Sequence, residues 1–193
     1  GFDGIELHAA NGYLFEQFLN GALNDRQDRY GGSAENRARL TLETIDALTA
    51  VLGARRVGIR LAPFNRIFDM PAFSDAAETY LHLARELHKR GIAYIHLNDN
   101  FIAGQPAIEP DFLPRLRAAF GGTIILAGGM TFEKGQALVD AGLIDLPAFG
   151  QPFIANPDLV ERFRRGLPVA TPDRDTYYGG SSRGYTDYPA LAA

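Results

Sequence analysis

Within six residues, His8, Asn11 and Tyr13 bring together an imidazole, a carboxamide and a phenol. An imidazole and an amide placed side by side can hydrogen-bond one carbonyl oxygen and polarise it. A phenol next to them can deliver a proton to a carbanion as it forms. The competing structural role is plain: His8 would satisfy backbone groups and Tyr13 would pack in a core. Arg60, near the end of an apolar run, is a permanent cation able to stabilise developing negative charge, unless a salt bridge consumes it. Ala127-Gly128-Gly129 and Gly150-Gln151 follow two further apolar runs, where glycine lets backbone amides approach a phosphate closely.

Other chemistries find little support. The 193 residues contain no cysteine, which removes disulfide and thiolate chemistry and is compatible with an expected cytoplasmic location. His82 and His88 lie on one helical stretch but are not four apart, so no metal pair is expected. His96 alternates within a strand and reads as a barrel-core histidine. Lys89 and Lys134 are the two lysines, and both fall on helical stretches, which disfavours Schiff-base chemistry. A net charge of −4 offers no basic footprint for nucleic acid. The cluster Arg162, Arg164 and Arg165 reads as the wet face of a helix. No apolar run approaches the ~20 residues that span a bilayer.

These residues need a scaffold. Five short apolar segments read as buried parallel strands: Gly4–Leu7, Val57–Leu61, Tyr94–Leu97, Thr123–Ala127 and Leu146–Phe149. Helical spacing predicts helices over Glu35–Leu52, Asp75–Arg90, Asp111–Ala119, Thr131–Ala141 and Pro157–Arg164, with Ser33 and Thr131 as caps and Pro157 at a first helical position. The alternation implies a parallel sheet covered by helices, either doubly wound or a (β/α)8 barrel. The barrel is favoured, because the chemically capable residues follow strand ends and no Gly-x-Gly-x-x-Gly turn follows the first strand. Five strands cannot close it, so about three are expected on the N-terminal side of Gly1. Residues 1–170 are assigned to the barrel and 171–193 to a C-terminal tail. The loop Phe64–Phe73 carries Phe64, Phe68, Met70 and Phe73, which suits either a pocket roof or a hydrophobic anchor. The segment from Asn24 to Arg39 reads as an ordered loop, structural in role, and long enough to rim a site.

His8-x-x-Asn11-Gly12-Tyr13, followed by Asn24-x-Arg26-x-Asp28-x-Tyr30-Gly31-Gly32-Ser33-x-Glu35-Asn36-Arg37-x-Arg39, resembles the signature of the Old Yellow Enzyme family. Gly58-Ile59-Arg60-Leu61-Ala62-Pro63, Ala127-Gly128-Gly129, Phe149-Gly150, Ile154-Ala155-Asn156-Pro157-Asp158-Leu159 and Gly184-Tyr185-Thr186-Asp187-Tyr188-Pro189 continue the match in order. The resemblance implies a (β/α)8 TIM barrel with FMN at its C-terminal mouth and NADH or NADPH as reductant. It implies hydride delivery from flavin N5 to the β-carbon of an α,β-unsaturated carbonyl or nitro compound. His8 and Asn11 would bind the activating oxygen and Tyr13 would protonate the α-carbon. Arg60 would stabilise the reduced flavin at N1 and O2. Ala127, Gly128, Gly129 and Gly150 would receive the phosphate, with Gln151 where many relatives carry arginine. Tyr178 would line the substrate pocket, and the tail would pack along the barrel mouth.

Two alternatives remain open at this point. One is a phosphate-binding barrel with lyase or isomerase chemistry, which the absence of a suitably placed lysine disfavours. The other is a barrel piece that is inert alone and needs an N-terminal complement, binding FMN poorly in isolation. The unpaired edge at Gly4–Leu7 makes a second copy an expected partner as well.

Overall fold

The computed structural model describes residues 1–99 and 108–191. Five strands, β1 (Ile5–Ala9), β2 (Val57–Leu61), β3 (Tyr94–Asn98), β4 (Thr123–Ala127) and β5 (Leu146–Ala148), form one sheet. They pair in parallel in the order β1-β2-β3-β4-β5. A doubly wound sheet reverses its strand order at a switch point. This sheet never does, so each βα unit advances in one direction, as in a barrel wall.

Seven α-helices accompany the strands among the described residues: α1 (Leu14–Leu19), α2 (Ala34–Leu52), α3 (Ala76–Arg90), α4 (Phe112–Ala119), α5 (Phe132–Asp140), α6 (Gln151–Ala155) and α7 (Leu159–Arg165). The expected caps form, with Ser33 accepting from the Asn36 amide at 3.4 Å and Thr131 from the Lys134 amide at 3.2 Å. Pro157 does not open α7. Asp158 takes the cap position, with its carboxylate held by Arg162 at 2.7 Å and by the Leu191 amide at 2.9 Å. The proline of a first turn is Pro152, in α6.

The core lies between the sheet and its helices. Ala9, Val57, Ile59, Leu61, Ile95, Leu97, Ile124 and Leu126 are each at most 1 % exposed, packed with Ala38 and Ile45 of α2, Leu83 and Leu87 of α3, and Leu116 of α4. Alternate residues on the same strands face the other way. In register, Glu6 lies beside Gly58, then Tyr94, then Thr123, and His8 lies beside Arg60, then His96, then Ile125. Close packing on that side is visible at Gly58, where a Cβ would overlap the Tyr94 ring.

The segment between β1 and α2 is anchored mainly through side chains. Asn24 donates to the Phe18 and Tyr30 carbonyls at 2.7 and 2.8 Å. Buried Arg37 donates to the Leu19 carbonyl at 3.0 Å and to Asp75 at 2.6 Å, joining α1, α2 and the cap of α3. The structural role read from the sequence holds for both residues. At the other end, the tail returns to α7, where Arg162 donates to the Pro189 carbonyl at 3.3 Å.

Candidate active site

β1 ends in a tight turn at Ala10–Tyr13. Asn11 has φ 58° and Gly12 φ 82°, two successive left-handed residues that reverse the chain before α1 begins. Asparagine tolerates that region and glycine enters it without penalty. The turn is clamped by the short helix it feeds. Gly12 donates its N–H to Glu16 at 2.6 Å, and its carbonyl accepts from Gln17 at 2.6 Å. Across the sheet, Asn98 at the end of β3 donates to the Asn11 Oδ1 at 2.9 Å.

The sequence-predicted trio comes together. The His8 and Tyr13 ring centroids are 5.3 Å apart, and Asn11 occupies the turn between them. Both rings are exposed on the same rim. The His8 pKa is lowered from the ordinary imidazole value by burial and by the Arg60 charge, against the opposing pull of Glu6. At neutral pH the ring is therefore uncharged and donates through one nitrogen only.

The loop after β2 does both things its sequence allowed. Phe64 packs edge-on against Phe112 at 5.2 Å and Met70 is 5 % exposed, which anchors the loop. Phe68 is 72 % exposed and leans on Tyr13 with centroids 6.3 Å apart. A hollow of about 460 Å³ is bounded by Gly12, Gln17, Arg26, Phe68 and Met70, so Arg26 reaches the rim as well.

A larger cleft of about 660 Å³ opens at the ends of β2 to β5. Its walls include Arg60, Ala127, Gly128, Gly129, Gly150 and Gln151, the six residues expected to bind a cofactor. Gly128 has φ 104°, and a Cβ there would overlap the Asp99 carbonyl, so only glycine fits. The Nε of Arg60 is buried and has no hydrogen-bond partner among the described residues. A buried guanidinium nitrogen without a partner is costly unless an acceptor arrives.

Several residues escaped the sequence reading. Asn98 both holds Asn11 and lines the cleft, joining the two halves of the site. Thr131 and Thr171 also line it. Glu6 bonds the Nδ1 of His96 at 3.0 Å, so this histidine pairs within a polar layer on the face away from the helices. The Glu6 pKa is lowered, because bonds from His96 and Tyr94 and the Arg60 charge outweigh the opposing effect of burial. The signal available was alternation: Glu6 and His8 in β1, and His96 and Asn98 in β3, repeat polar residues on one face of otherwise aliphatic strands. Tyr178 is 92 % exposed and its ring contact is to Tyr177, with no bond or ring contact to His8, Asn11 or Tyr13 among the described residues.

The sequence pattern of the NADH:flavin oxidoreductase / NADH oxidase family matches residues 1–170. The chain belongs to that family. It is 44 % identical over 199 residues to putative 12-oxophytodienoate reductase 11 of Oryza sativa subsp. japonica, covering 99 % of this chain and 53 % of the relative. The structure of morphinone reductase in complex with tetrahydroNAD superposes with a TM-score of 0.92 at 45 % identity, covering 100 % of this chain and 51 % of that one. The Old Yellow Enzyme homologue from Zymomonas mobilis gives a TM-score of 0.92 at 36 % identity, covering 99 % of this chain and 54 % of that one. The Old Yellow Enzyme resemblance is thereby borne out. The chain spans about half the length of these relatives, and its five βα units match about half of their TIM barrels. No helix among the described residues is long and apolar enough to cross a membrane.

Proposed function

We propose that the protein carrying this chain is an FMN-dependent ene-reductase, acting with NADH or NADPH on α,β-unsaturated carbonyl or nitro compounds. The observation that carries the reading is the continuity through Asn98. One amide joins the rim of His8, Asn11 and Tyr13 to the cleft of Arg60 and the glycine turns.

The cleft's residues suit FMN. Arg60 offers a buried, unpartnered donor, Gly128 and Gly129 expose backbone at a closely packed turn, and Gln151 adds an uncharged donor. When bound, FMN supplies two-electron hydride exchange. The chain's own residues do the rest. Neutral His8 donates a hydrogen bond to the activating oxygen, and the Asn11 amide donates a second, which withdraws electrons from the conjugated alkene. The Tyr13 hydroxyl gives its proton to the α-carbon as the β-carbon is reduced. Arg60 holds negative charge beside the cofactor. A glutamine at position 151 gives the phosphate a hydrogen bond without a counter-charge, which weakens but does not abolish that contact. A complement of the barrel wall, or a second copy, is the expected partner across the edges of β1 and β5, which pair with no further strand among the described residues.

The deciding experiment pairs Tyr13→Phe with stopped-flow spectroscopy of the flavin. Reduction by the nicotinamide nucleotide should be unchanged, while reoxidation by cyclohexenone slows by about 10²–10⁴-fold. Equal slowing of both half-reactions would remove Tyr13 from the protonation step. His8→Ala combined with Asn11→Ala should weaken binding of phenolic ligands; unaltered affinity would remove the proposed oxygen site.

A further inference from the structure

Glu16 is a carboxylate that the proposed reaction does not use, yet it is only 2 % exposed. It sits in the first turn of α1, which starts directly after Tyr13. Its Oε2 accepts the Gly12 N–H at 2.6 Å and the Asn65 side-chain amide at 3.1 Å. The Asn65 Oδ1 accepts in turn from the Ile67 amide at 2.8 Å. One oxygen thus joins the turn bearing Asn11 and Tyr13 to the loop bearing Phe68.

Both segments hold left-handed backbone at residues other than glycine: Asn11 at φ 58°, Phe64 at 65°, Phe68 at 57° and Asp69 at 58°. Such conformations persist only where surrounding contacts over-determine them. The two peptide groups flanking Gly12 are both held, one by Glu16 at the Gly12 N–H and the other by Gln17 at the Gly12 carbonyl. On the loop side, the Asn65 amide bond to Glu16 reaches the segment between Phe64 and Phe68.

We propose that Glu16 is a positioning residue whose carboxylate fixes the Asn11–Tyr13 turn and the Phe64–Met70 loop against each other, and so sets the Tyr13 and Phe68 rings around bound substrate. The substrate clause rests on the ene-reductase reading above; the link between the two segments does not. Burial lifts the Glu16 carboxyl to about 7, against the lowering by the Gly12 and Asn65 bonds. The ionised carboxylate is the stronger acceptor, so the link tightens as pH rises through neutrality. Among the groups around it, Tyr80 of α3 is fully buried and held well above the ordinary phenol value by burial and by the Glu16 charge. Arg37 of α2 reaches the α1 carbonyl of Leu19 and is paired with Asp75. The loop contributes Arg66 and Asp69, and Tyr13 adjoins α1. His8 on β1 titrates below the ordinary imidazole value.

Two readouts in the wild type and in Glu16→Gln test the proposal. Glutamine keeps a carbonyl oxygen for both donors but cannot ionise. The Gly12 amide resonance should shift with a midpoint near pH 7 in the wild type and stay flat in the variant, with or without cofactor. Cyclohexenone, which does not ionise, is then titrated into the FMN-loaded protein and followed by the flavin's visible spectrum. Wild-type affinity should fall by about threefold to tenfold between about pH 8.5 and pH 6, and Glu16→Gln should remove that dependence. A Gly12 transition that survives the substitution overturns the link. A Gly12 transition confined to the wild type, with cyclohexenone affinity equally pH-dependent in both proteins or in neither, overturns the positioning role. A Gly12 transition in a wild type that binds no cyclohexenone supports the link and sinks the ene-reductase reading instead.

Discussion

The two faces of one sheet carry different kinds of side chain. Toward the helices, β1 to β4 present Ala9, Ile59, Leu61, Ile95, Leu97 and Leu126, all at most 1 % exposed and all aliphatic. Toward the opposite side, β1 to β3 present Glu6, His8, Arg60, Tyr94, His96 and Asn98. Side chains a single residue apart along a strand therefore obey different rules. On one side volume and burial decide the residue, and substitution costs stability. On the other, hydrogen-bonding capacity decides it, and substitution costs binding.

The sharpest way to break that division is Ile59→Ala. Deleting a fully buried Ile side chain should destabilise the fold by about 2–5 kcal/mol in urea unfolding, while FMN affinity of the folded protein is retained. A variant with native stability and weakened FMN binding would show that the helix-covered face serves the site directly.

Glu16 belongs to neither face and should have the next largest effect. Its folded-state pKa of about 7 lies above the ordinary carboxyl value, so the native state binds the proton more tightly than the unfolded chain. Stability attributable to Glu16 is present below the unfolded pKa and is lost as pH rises to about 7. Glu16→Gln should match the wild type near pH 4 and exceed it by up to about 3 kcal/mol at pH 8, read from denaturant midpoints. Parallel stability curves across that range would mean the carboxyl is solvated.

Arg60→Met separates the two faces from the polar side. Methionine fills similar volume and removes a buried nitrogen that has no partner among the described residues, so unfolding free energy should hold or rise slightly. FMN affinity should drop by about 1.5–3 kcal/mol, the range for hydrogen bonds involving a charged group, measured by calorimetric titration. Lost stability with retained FMN affinity would place Arg60 among the structural residues.

The same division explains what the sequence could and could not reveal. The strands were legible because the helix-covered face repeats aliphatic residues wherever burial is complete, as in Val57, Ile59 and Leu61. The end of β1 was placed two residues short, because His8 interrupts the apolar run although its backbone still pairs beside Arg60. Helix α1 escaped notice because six residues give too few turns for periodicity to speak, and its apolar positions abut the Asn11-Gly12-Tyr13 turn. The site trio was visible as residue types close in sequence. Asn98 was not, because its bond to Asn11 spans 87 positions and exists only through the β1-β2-β3 register. Glu16 carried no signal in the sequence; only the fold buries it against the turn that precedes it.

The smallest expected effect is also the most discriminating about the polar face, because it reverses the sign seen at Glu16. His8 has its pKa lowered first by burial, then by the Arg60 guanidinium, with Glu6 opposing. As pH falls through the ordinary imidazole value, the unfolded chain takes up the proton before the native state does. His8 therefore costs the native state stability on acidification, a cost absent above the unfolded pKa and complete below the folded one. His8→Gln should flatten the stability profile on the acidic side of neutrality, whereas Glu16→Gln removes a loss that grows as pH rises. Because the Arg60 charge contributes to the shift, the His8 effect should shrink in an Arg60→Met background, as seen in the NMR titration of the imidazole. An imidazole midpoint indifferent to residue 60 would mean that the two side chains, although paired in register, do not share one electrostatic site.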